Sequence, residues 1–318
     1  MGDVTIRPFR PGDEVAINDG FNAVFALSRP LEEWTWKFPA EPDGRWIMLA
    51  VDDQGRVVAH YGAVSSRLRI DDLVVRGGQI VDAYSRPEVR GQRVFTDTYL
   101  RFVAELCNPD GIGFGFGFPG RRHYEMGLRA LGYEPIGPAP YWRRSVGRRV
   151  GWPWRRRRVR TGWDREAYGR LWAEASGRYR YGLLRDPGWM ERRFTHRPAF
   201  AYLHVAVWGD DRPAAWAVTR PERGSLRLGD LVWDGADPAA LEVLTHALVR
   251  TARRLGLAHL EMWLGGDPAA ETCLADLGWH REEGPDDLLF VARSFHPAVE
   301  LDRIRQSMYL TFGDSDLV

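Results

Sequence analysis

One short stretch in the first third of the sequence combines residue types that could bind an anion. It covers residues 81–95, which read VDAYSRPEVRGQRVF. The pattern predicts a strand over residues 79–84, a turn around Arg90 and Gly91, and a helix from about Val94 to Leu106. Such a turn points several backbone N–H groups at one spot, and the positive end of the helix dipole adds to them. The stretch therefore predicts a pyrophosphate-binding site.

A glycine-rich strand follows this predicted helix. Residues 111–118 (GIGFGFGF) alternate glycine with large apolar residues, so one strand face carries four glycines. A bare face lets a ligand or another backbone approach closely. Close packing of a helix against that face explains the glycines equally well.

The elements that position this stretch recur later in the chain. Residues 49–64 and 205–218 both predict a β-hairpin with an Asp/Gly turn. Downstream of each hairpin, a short helix ends at a glycine followed by an aromatic residue, at Gly132 and Gly278. The repetition predicts two α/β (α+β) halves. The predicted segments are an N-terminal domain with the ligand site at 1–142, an arginine-rich linker at 143–161, a C-terminal domain at 162–300 and a tail at 301–318.

The order of these features resembles that of a known superfamily. A strand followed by Pro87-x-x-Arg90-Gly91-Gln92-x-x and a helix is similar to the acyl-CoA pyrophosphate loop of GNAT superfamily N-acetyltransferases. The opening segment 6–13 (IRPFRPGD) is similar to a first GNAT strand and loop. The resemblance covers the whole first half and, more weakly, the second. It implies two GNAT-like domains, each with a mixed, mostly antiparallel sheet that has a central parallel strand pair flanked by helices.

The resemblance also implies a cosubstrate and its binding residues. Acetyl-CoA would bind with its pyrophosphate on the loop and its pantetheine arm and thioester along the preceding strand, and the reaction would need no metal. The implied binding residues are Tyr84, Ser85, Arg86, Arg90, Gly91, Gln92, Arg93, Val94, Phe95 and Thr96. The loop departs from the usual Arg-Gly-x-Gly-x-Gly/Ala at Arg93 and Phe95. An arginine at position 93 would be strained if its φ had to be positive.

Direct attack of an amine on a thioester needs a base for the ammonium proton and an acid for the leaving thiolate. Asp82 lies on the strand that aims at the implied thioester, so it is either the base, through a water molecule, or a strand-end acid bonded to backbone. Many GNAT enzymes place a tyrosine acid where this chain has Leu128. Tyr124 lies one helical turn earlier and is the substitute that we predict.

The chain end offers a third catalytic candidate. In the enhanced-intracellular-survival acetyltransferases, which are also multi-GNAT proteins, the terminal carboxylate reaches the active site. The Val318 carboxylate, with Asp314 and Asp316, could act similarly and bind a cationic amine. A surface tail that only packs is the alternative.

Composition fits a folded protein of two domains, with 318 residues, 44% hydrophobic and 27% charged. Cys107 and Cys273 lie far apart, which predicts neither a disulfide scaffold nor a zinc site. No apolar run of 18 residues and no signal-peptide pattern occurs, so we expect no membrane contact and a cytoplasmic location.

Nine arginines fall between Glu134 and Asp164 with no acid among them. Subtracting these nine charges from the formal net charge of +1 leaves about −8 on the remainder. This patch could hold the adenosine 3′-phosphate, an anionic acceptor or nucleic acid, or it is a solvated linker.

The function that these observations favour is transfer of an acetyl group from acetyl-CoA to a primary amine of a small molecule. One alternative is a Fem-type aminoacyltransferase that uses aminoacyl-tRNA, since those enzymes are also tandem and GNAT-like. The other is a non-catalytic acyl-CoA-binding module, which the departures at Arg93 and Leu128 suggest. Nucleic acid is not the expected partner, and the sequence does not indicate an oligomeric state.

Overall fold

The computed structural model describes residues 3–40, 44–147, 157–284 and 288–316. The strands are β1 Thr5–Pro8, β2 Trp46–Val51, β3 Val57–Ile70, β4 Leu73–Ser85, β5 Phe114–Gly117, β6 Glu134–Pro138, β7 Tyr141–Ser145, β8 Arg158–Thr161, β9 Tyr181–Leu183, β10 Leu203–Trp208, β11 Pro213–Glu222, β12 Ser225–Trp233, β13 His259–Trp263, β14 His280–Arg281, β15 Leu289–Ser294 and β16 Met308–Tyr309. The helices are α1 Glu14–Phe25, α2 Leu31–Lys37, α3 Val94–Leu106, α4 Arg121–Met126, α5 Arg165–Ala175, α6 Pro187–Met190, α7 Pro238–Arg254, α8 Pro268–Asp276 and α9 Leu301–Ser307.

The chain folds into two compact units. Unit 1 comprises the chain up to Leu68, Leu73–Gly137 and Leu289–Asp302. Unit 2 comprises Arg69–Asp72, Pro138–Leu288 and the chain from Arg303 onward. Both are mixed α/β units, which confirms the predicted fold class.

The sheet of unit 1 has the strand order β1-β2-β3-β4-β5-β15-β6. Strands β4 and β5 are parallel, whereas the pairs β1–β2, β2–β3 and β5–β15 are antiparallel. Helix α3 packs on β2 and buries Tyr99 and Phe102 against Met48 and Tyr61. This packing follows from the apolar face of α3, whose ends fall at the predicted residues.

The sheet of unit 2 repeats this order as β8-β10-β11-β12-β13-β7-β14. Here β12 and β13 form the parallel pair, and β10–β11, β11–β12 and β13–β7 are antiparallel. The predicted hairpins are confirmed as β2–β3 and β10–β11. The glycines predicted to end the short helices have the expected left-handed φ, 64° at Gly132 and 84° at Gly278.

The strand order of each sheet includes a strand from the other half of the sequence. Strand β15 pairs with β5 in unit 1, and β7 pairs with β13 in unit 2. The unit boundaries therefore differ from the sequence-based segments, because residues 138–142 belong to unit 2 and residues 289–300 to unit 1. Residues 148–156 of the predicted arginine-rich linker lie outside the described residues.

Side chains cover two of the four alternating glycines in residues 111–118. A Cβ at Gly113 would lie 3.1 Å from His296 Cβ, and one at Gly115 would lie 3.3 Å from the ring of Phe295. Both residues follow β15. Across the described parts of the chain, no helix combines the length and apolar character needed to cross a membrane.

Candidate active site

The predicted anion-binding loop connects β4 to α3. A 3₁₀ turn at Pro87–Val89 is followed by Gly91, whose φ of 82° lies in the left-handed region that glycine adopts without strain. Helix α3 begins at Val94 and has no side-chain cap at Arg93. The first N–H groups of an α-helix have no partner within the helix. Those of Val94 and its two successors therefore remain available to an anion.

The two unusual loop residues are accommodated without strain. Arg93 has φ −74° and ψ −5°, a right-handed conformation, so its position does not require glycine. Its side chain is 81% exposed and pairs with Asp97. Phe95 turns inward, with its ring 6.0 Å from that of Tyr61 and 5.9 Å from that of His123.

Strand β4 extends beyond its parallel pairing with β5. The pairing covers Gly77–Gln79 opposite Phe114–Phe116, and three residues later Asp82 adopts a φ of 53°. A positive φ in a non-glycine residue marks an irregularity in the strand. Tyr84 then points its hydroxyl at the carbonyl of Ile17 in α1.

Arg86 is hydrogen-bonded to β3 through its main chain and its side chain. Its N–H donates to Val58 O at 2.8 Å, and its side-chain Nε donates to Val57 O at 2.9 Å. Both groups thus tie the end of β4 to β3 and are not available to a pantetheine arm. Ser85 remains half-buried at the end of β4.

Asp82 is a buried carboxylate held by two cations. Arg29 Nη1 lies 2.5 Å from Oδ2 and Lys37 Nζ lies 2.8 Å from Oδ1. Burial alone would raise the pKa of Asp82, but the charges and hydrogen bonds of Lys37 and Arg29 outweigh burial and lower it. An ionised carboxylate with both oxygen atoms in ion pairs is a poor proton acceptor. The structure therefore favours a positioning role over the base role predicted from sequence.

His60 joins this cluster and was not predicted from the sequence. Its Nδ1 lies 2.8 Å from Asp82 O, so Nδ1 carries the proton that the carbonyl accepts. Its ring stacks on Tyr84 at 5.4 Å. Burial lowers the pKa of His60 to about 4, which leaves the ring neutral at pH 7. Its Nε2 is buried and has no hydrogen-bond partner among the described residues.

The other two predicted catalytic groups have different outcomes. Tyr124 lies on α4, directly after β5, and is half-buried. It stays a candidate for the acid. Val318 lies outside the described residues. In the part of the tail that is described, Asp314 is fully buried in unit 2.

Comparison with known proteins identifies the first half. Residues 5–136 match the family model for the acetyltransferase (GNAT) domain. The chain carries a GNAT acetyltransferase domain. No curated protein sequence matches the chain significantly.

Solved structures extend the likeness of fold beyond the GNAT domain. A conserved Enterococcus faecalis protein of unknown function, named a probable N-acyltransferase, superposes with a TM-score of 0.70 at 13% identity, over 92% of this chain and 73% of its own. A GCN5-related N-acetyltransferase from Anabaena variabilis gives 0.69 at 12% identity over the same shares. Saccharomyces cerevisiae N-myristoyltransferase with bound myristoyl-CoA gives 0.60 at 12% identity, over 92% and 83%. At these identities the likeness concerns the fold alone.

The helix that corresponds to α3 in the other half begins differently from that of the GNAT domain. At the start of α7, Asp237 accepts a hydrogen bond from Ala239 N and pairs with Arg157. Asp234 accepts hydrogen bonds from Ala236 N and Asp237 N. These carboxylates occupy N–H groups that an anion would need. Asp230, in the preceding strand β12, is buried beside Arg185.

Proposed function

We propose that the chain is an acetyl-CoA-dependent N-acetyltransferase that transfers an acetyl group to a primary amine of a small molecule. The observation that carries this proposal is the start of α3, where a left-handed Gly91 leads into a helix without a side-chain cap. The space beside Gly91 is open, since nothing lies within 4 Å of the position that a Cβ there would take. Main-chain N–H groups and the helix dipole would bind the phosphates there.

The reaction that we propose is direct attack of the amine nitrogen on the thioester carbonyl. A C–N bond forms, the C–S bond breaks, the amine loses a proton and the thiolate gains one. Tyr124 is the proposed acid for the thiolate, because it follows β5 at the end where β4 and β5 part. We assign the amine a hydrogen bond to His60 Nε2, a buried acceptor beside Asp82. Asp82 holds Arg29 and Lys37 in place.

The binding step can be tested with two glycines of the same geometry. Gly91 has φ 82° and Gly224, in the β11–β12 turn of unit 2, has φ 80°, and neither has a neighbour within 4 Å of a Cβ position. Alanine at either position costs about 1–2 kcal/mol of backbone strain. We expect Gly91→Ala to raise the Kd for acetyl-CoA about tenfold by calorimetry. Gly224→Ala should leave it unchanged.

Thiol release from acetyl-CoA with a panel of primary amines tests the transfer itself. If acetyl-CoA binds saturably but no amine causes thiol release, the chain is a non-catalytic acyl-CoA-binding module. Tight binding of tRNA without binding of acetyl-CoA would favour the Fem-type reaction. Equal effects of the two glycine substitutions on the Kd would remove the loop from the proposal.

A further inference from the structure

Arg29 is a buried arginine with an incomplete set of partners. Its Nε donates to Asn18 Oδ1 at 2.8 Å and its Nη1 pairs with Asp82, while the guanidinium lies 3.7 Å from the centroid of the Phe21 ring. The side chain is only 6% exposed. Nη2 is buried and has no hydrogen-bond partner within the described residues. Leaving a buried donor of a charged group without a hydrogen bond costs free energy. We therefore expect Nη2 to bind an acceptor that the described residues do not supply.

Unit 2 contains a matching arginine. Arg185 lies two residues before α6, as Arg29 lies two residues before α2. Each arginine pairs with a buried aspartate. That aspartate lies on the first strand of the parallel pair in its sheet, two or three residues after the last residue paired with the second strand. These aspartates are Asp82 in β4 and Asp230 in β12. Both strands are irregular at that point, since the β11–β12 register shifts next to Asp230. The two clusters are repeats of one arrangement.

The repeats differ at one nitrogen atom. Every guanidinium nitrogen of Arg185 has a partner, with Nε on Asp230, Nη1 on Leu183 O, and Nη2 on both Asp314 Oδ2 at 2.5 Å and Thr311 Oγ1 at 3.1 Å. Asp314 comes from the tail and is fully buried. Arg185 therefore meets two carboxylates, whereas Arg29 meets one. In unit 2 the chain itself supplies the carboxylate for Nη2.

We propose that Nη2 of Arg29 binds a carboxylate of the acceptor, so that the acceptor is an amino acid or another amine that also carries a carboxylate. The proposal rests on the proposed acetyl transfer and names its substrate class. The two unpartnered atoms of this cluster complement such a molecule, since Arg29 Nη2 is a donor for the carboxylate and His60 Nε2 is an acceptor for the amine. Arginine suits this role because its planar group forms directed hydrogen bonds to carboxylates.

The first test uses pairs of amines that differ only in the carboxylate. Phenylalanine is compared with phenethylamine, leucine with isopentylamine, and 6-aminohexanoate with pentylamine, with thiol release from acetyl-CoA as the readout. A charge-assisted hydrogen bond predicts a kcat/KM about 10- to 100-fold higher for the carboxylated member of at least one pair. If the carboxylate-free amine reacts as fast or faster in every pair, this inference is overturned while acetyl transfer stands.

A substitution assigns the preference to Arg29. Arg29→Lys keeps a positive charge opposite Asp82 but loses the second nitrogen, so the ratio within a pair should fall towards one. Arg45→Lys is the matched control, because Arg45 lies in the same unit and pairs with Glu14 instead. If Arg29→Lys leaves the ratio of kcat/KM values within a pair unchanged, Arg29 is not the residue that binds the carboxylate. If the variant does not fold, the wild-type ratios decide.

A binding measurement separates this inference from acetyl transfer. Because Nη2 is covered, the segment between α1 and α2 must move to admit a ligand. N-acetylphenylalanine should therefore change amide hydrogen exchange in residues 26–38, and N-acetylphenethylamine, which lacks the carboxylate, should not. If no amine releases thiol, the proposed acetyl transfer is wrong, and the exchange experiment still tests whether Arg29 binds a carboxylate. Identical exchange with both compounds would show that Arg29 does not bind one.

Discussion

At the scale of single residues, Asp82 is a buried carboxylate that pairs with two cations of unit 1. Asp82→Asn removes the carboxylate that Arg29 and Lys37 share and leaves two buried cations close together. Breaking a buried ion pair by removing one partner typically costs about 3–5 kcal/mol. We expect a loss of that size in the free energy of unfolding, measured with urea.

Glu105→Gln provides the control for Asp82→Asn. Glu105 pairs with Arg101 on the surface of α3, where both side chains are at least a third exposed. Exposed pairs contribute about 0–1 kcal/mol. Similar losses for the two variants would show that the Asp82 cluster is not a buried ionic centre.

Three histidines with lowered pKa values lead us to expect that acid destabilises the protein. Burial lowers the pKa values of His60, His123 and His204 to about 4. The unfolded chain takes up these protons near pH 6.5, while the folded protein does not, so stability is lost as pH falls from 6.5 towards 4. Each histidine should cost about 2 kcal/mol between pH 7 and pH 5.

Acids whose pKa values are raised by burial oppose this trend, and Asp314 is an example. Burial, partly offset by Arg185, raises the pKa of Asp314 to about 6, so its contribution to stability is lost as pH rises through that value.

A comparison of two variants separates the contribution of His60 from that of the acids. His60→Gln should reduce the fall in unfolding free energy between pH 7 and pH 5, whereas His280→Gln, at an exposed position in β14, should not. Equal falls in both variants would mean that the pKa of His60 is not lowered in the folded protein.

At the scale of elements, local signals were enough to predict α3, the two hairpins and the helix-ending glycines. Each depends on residues within a few positions of one another, such as the apolar face of α3. The site cluster was not predictable in this way. Arg29 and Asp82 are separated by 53 positions, and Arg185 and Asp314 by 129, so no local pattern relates them. His60 carried no signal either, because a single histidine in a strand looks like any other core residue.

Helices α3 and α7 occupy corresponding positions in the two units, but their first turns differ in whether N–H groups are left for an anion. Both helices follow the strand that forms the parallel pair of its sheet. Helix α3 starts from glycine and arginine, whereas aspartates at the start of α7 accept hydrogen bonds from Ala236 N and Ala239 N. The sequence did indicate this difference, because Asp237-Pro238 is an ordinary signal for a capped helix start.

At the scale of the whole molecule, β15 and β7 each complete a sheet in which most strands come from the other half of the sequence. We therefore expect that a fragment cut between the two halves does not fold alone. A fragment of residues 1–142 ends after the first half of the sequence but lacks β15. Strand β5, buried along its whole length, would lose its antiparallel partner, and its glycines would lose the cover of Phe295 and His296. An exposed apolar strand edge promotes aggregation.

We therefore expect the 1–142 fragment to aggregate or to lack a cooperative unfolding transition by circular dichroism. A second protein, in which residues 1–137 are joined by a flexible linker to residues 289–302, restores the strand order β5-β15-β6. This fusion should unfold cooperatively and bind acetyl-CoA, because it contains all of unit 1 together with residues 69–72. Cooperative unfolding of the 1–142 fragment would show that β15 is dispensable. Failure of the fusion to fold would show that unit 1 needs more than its own strands.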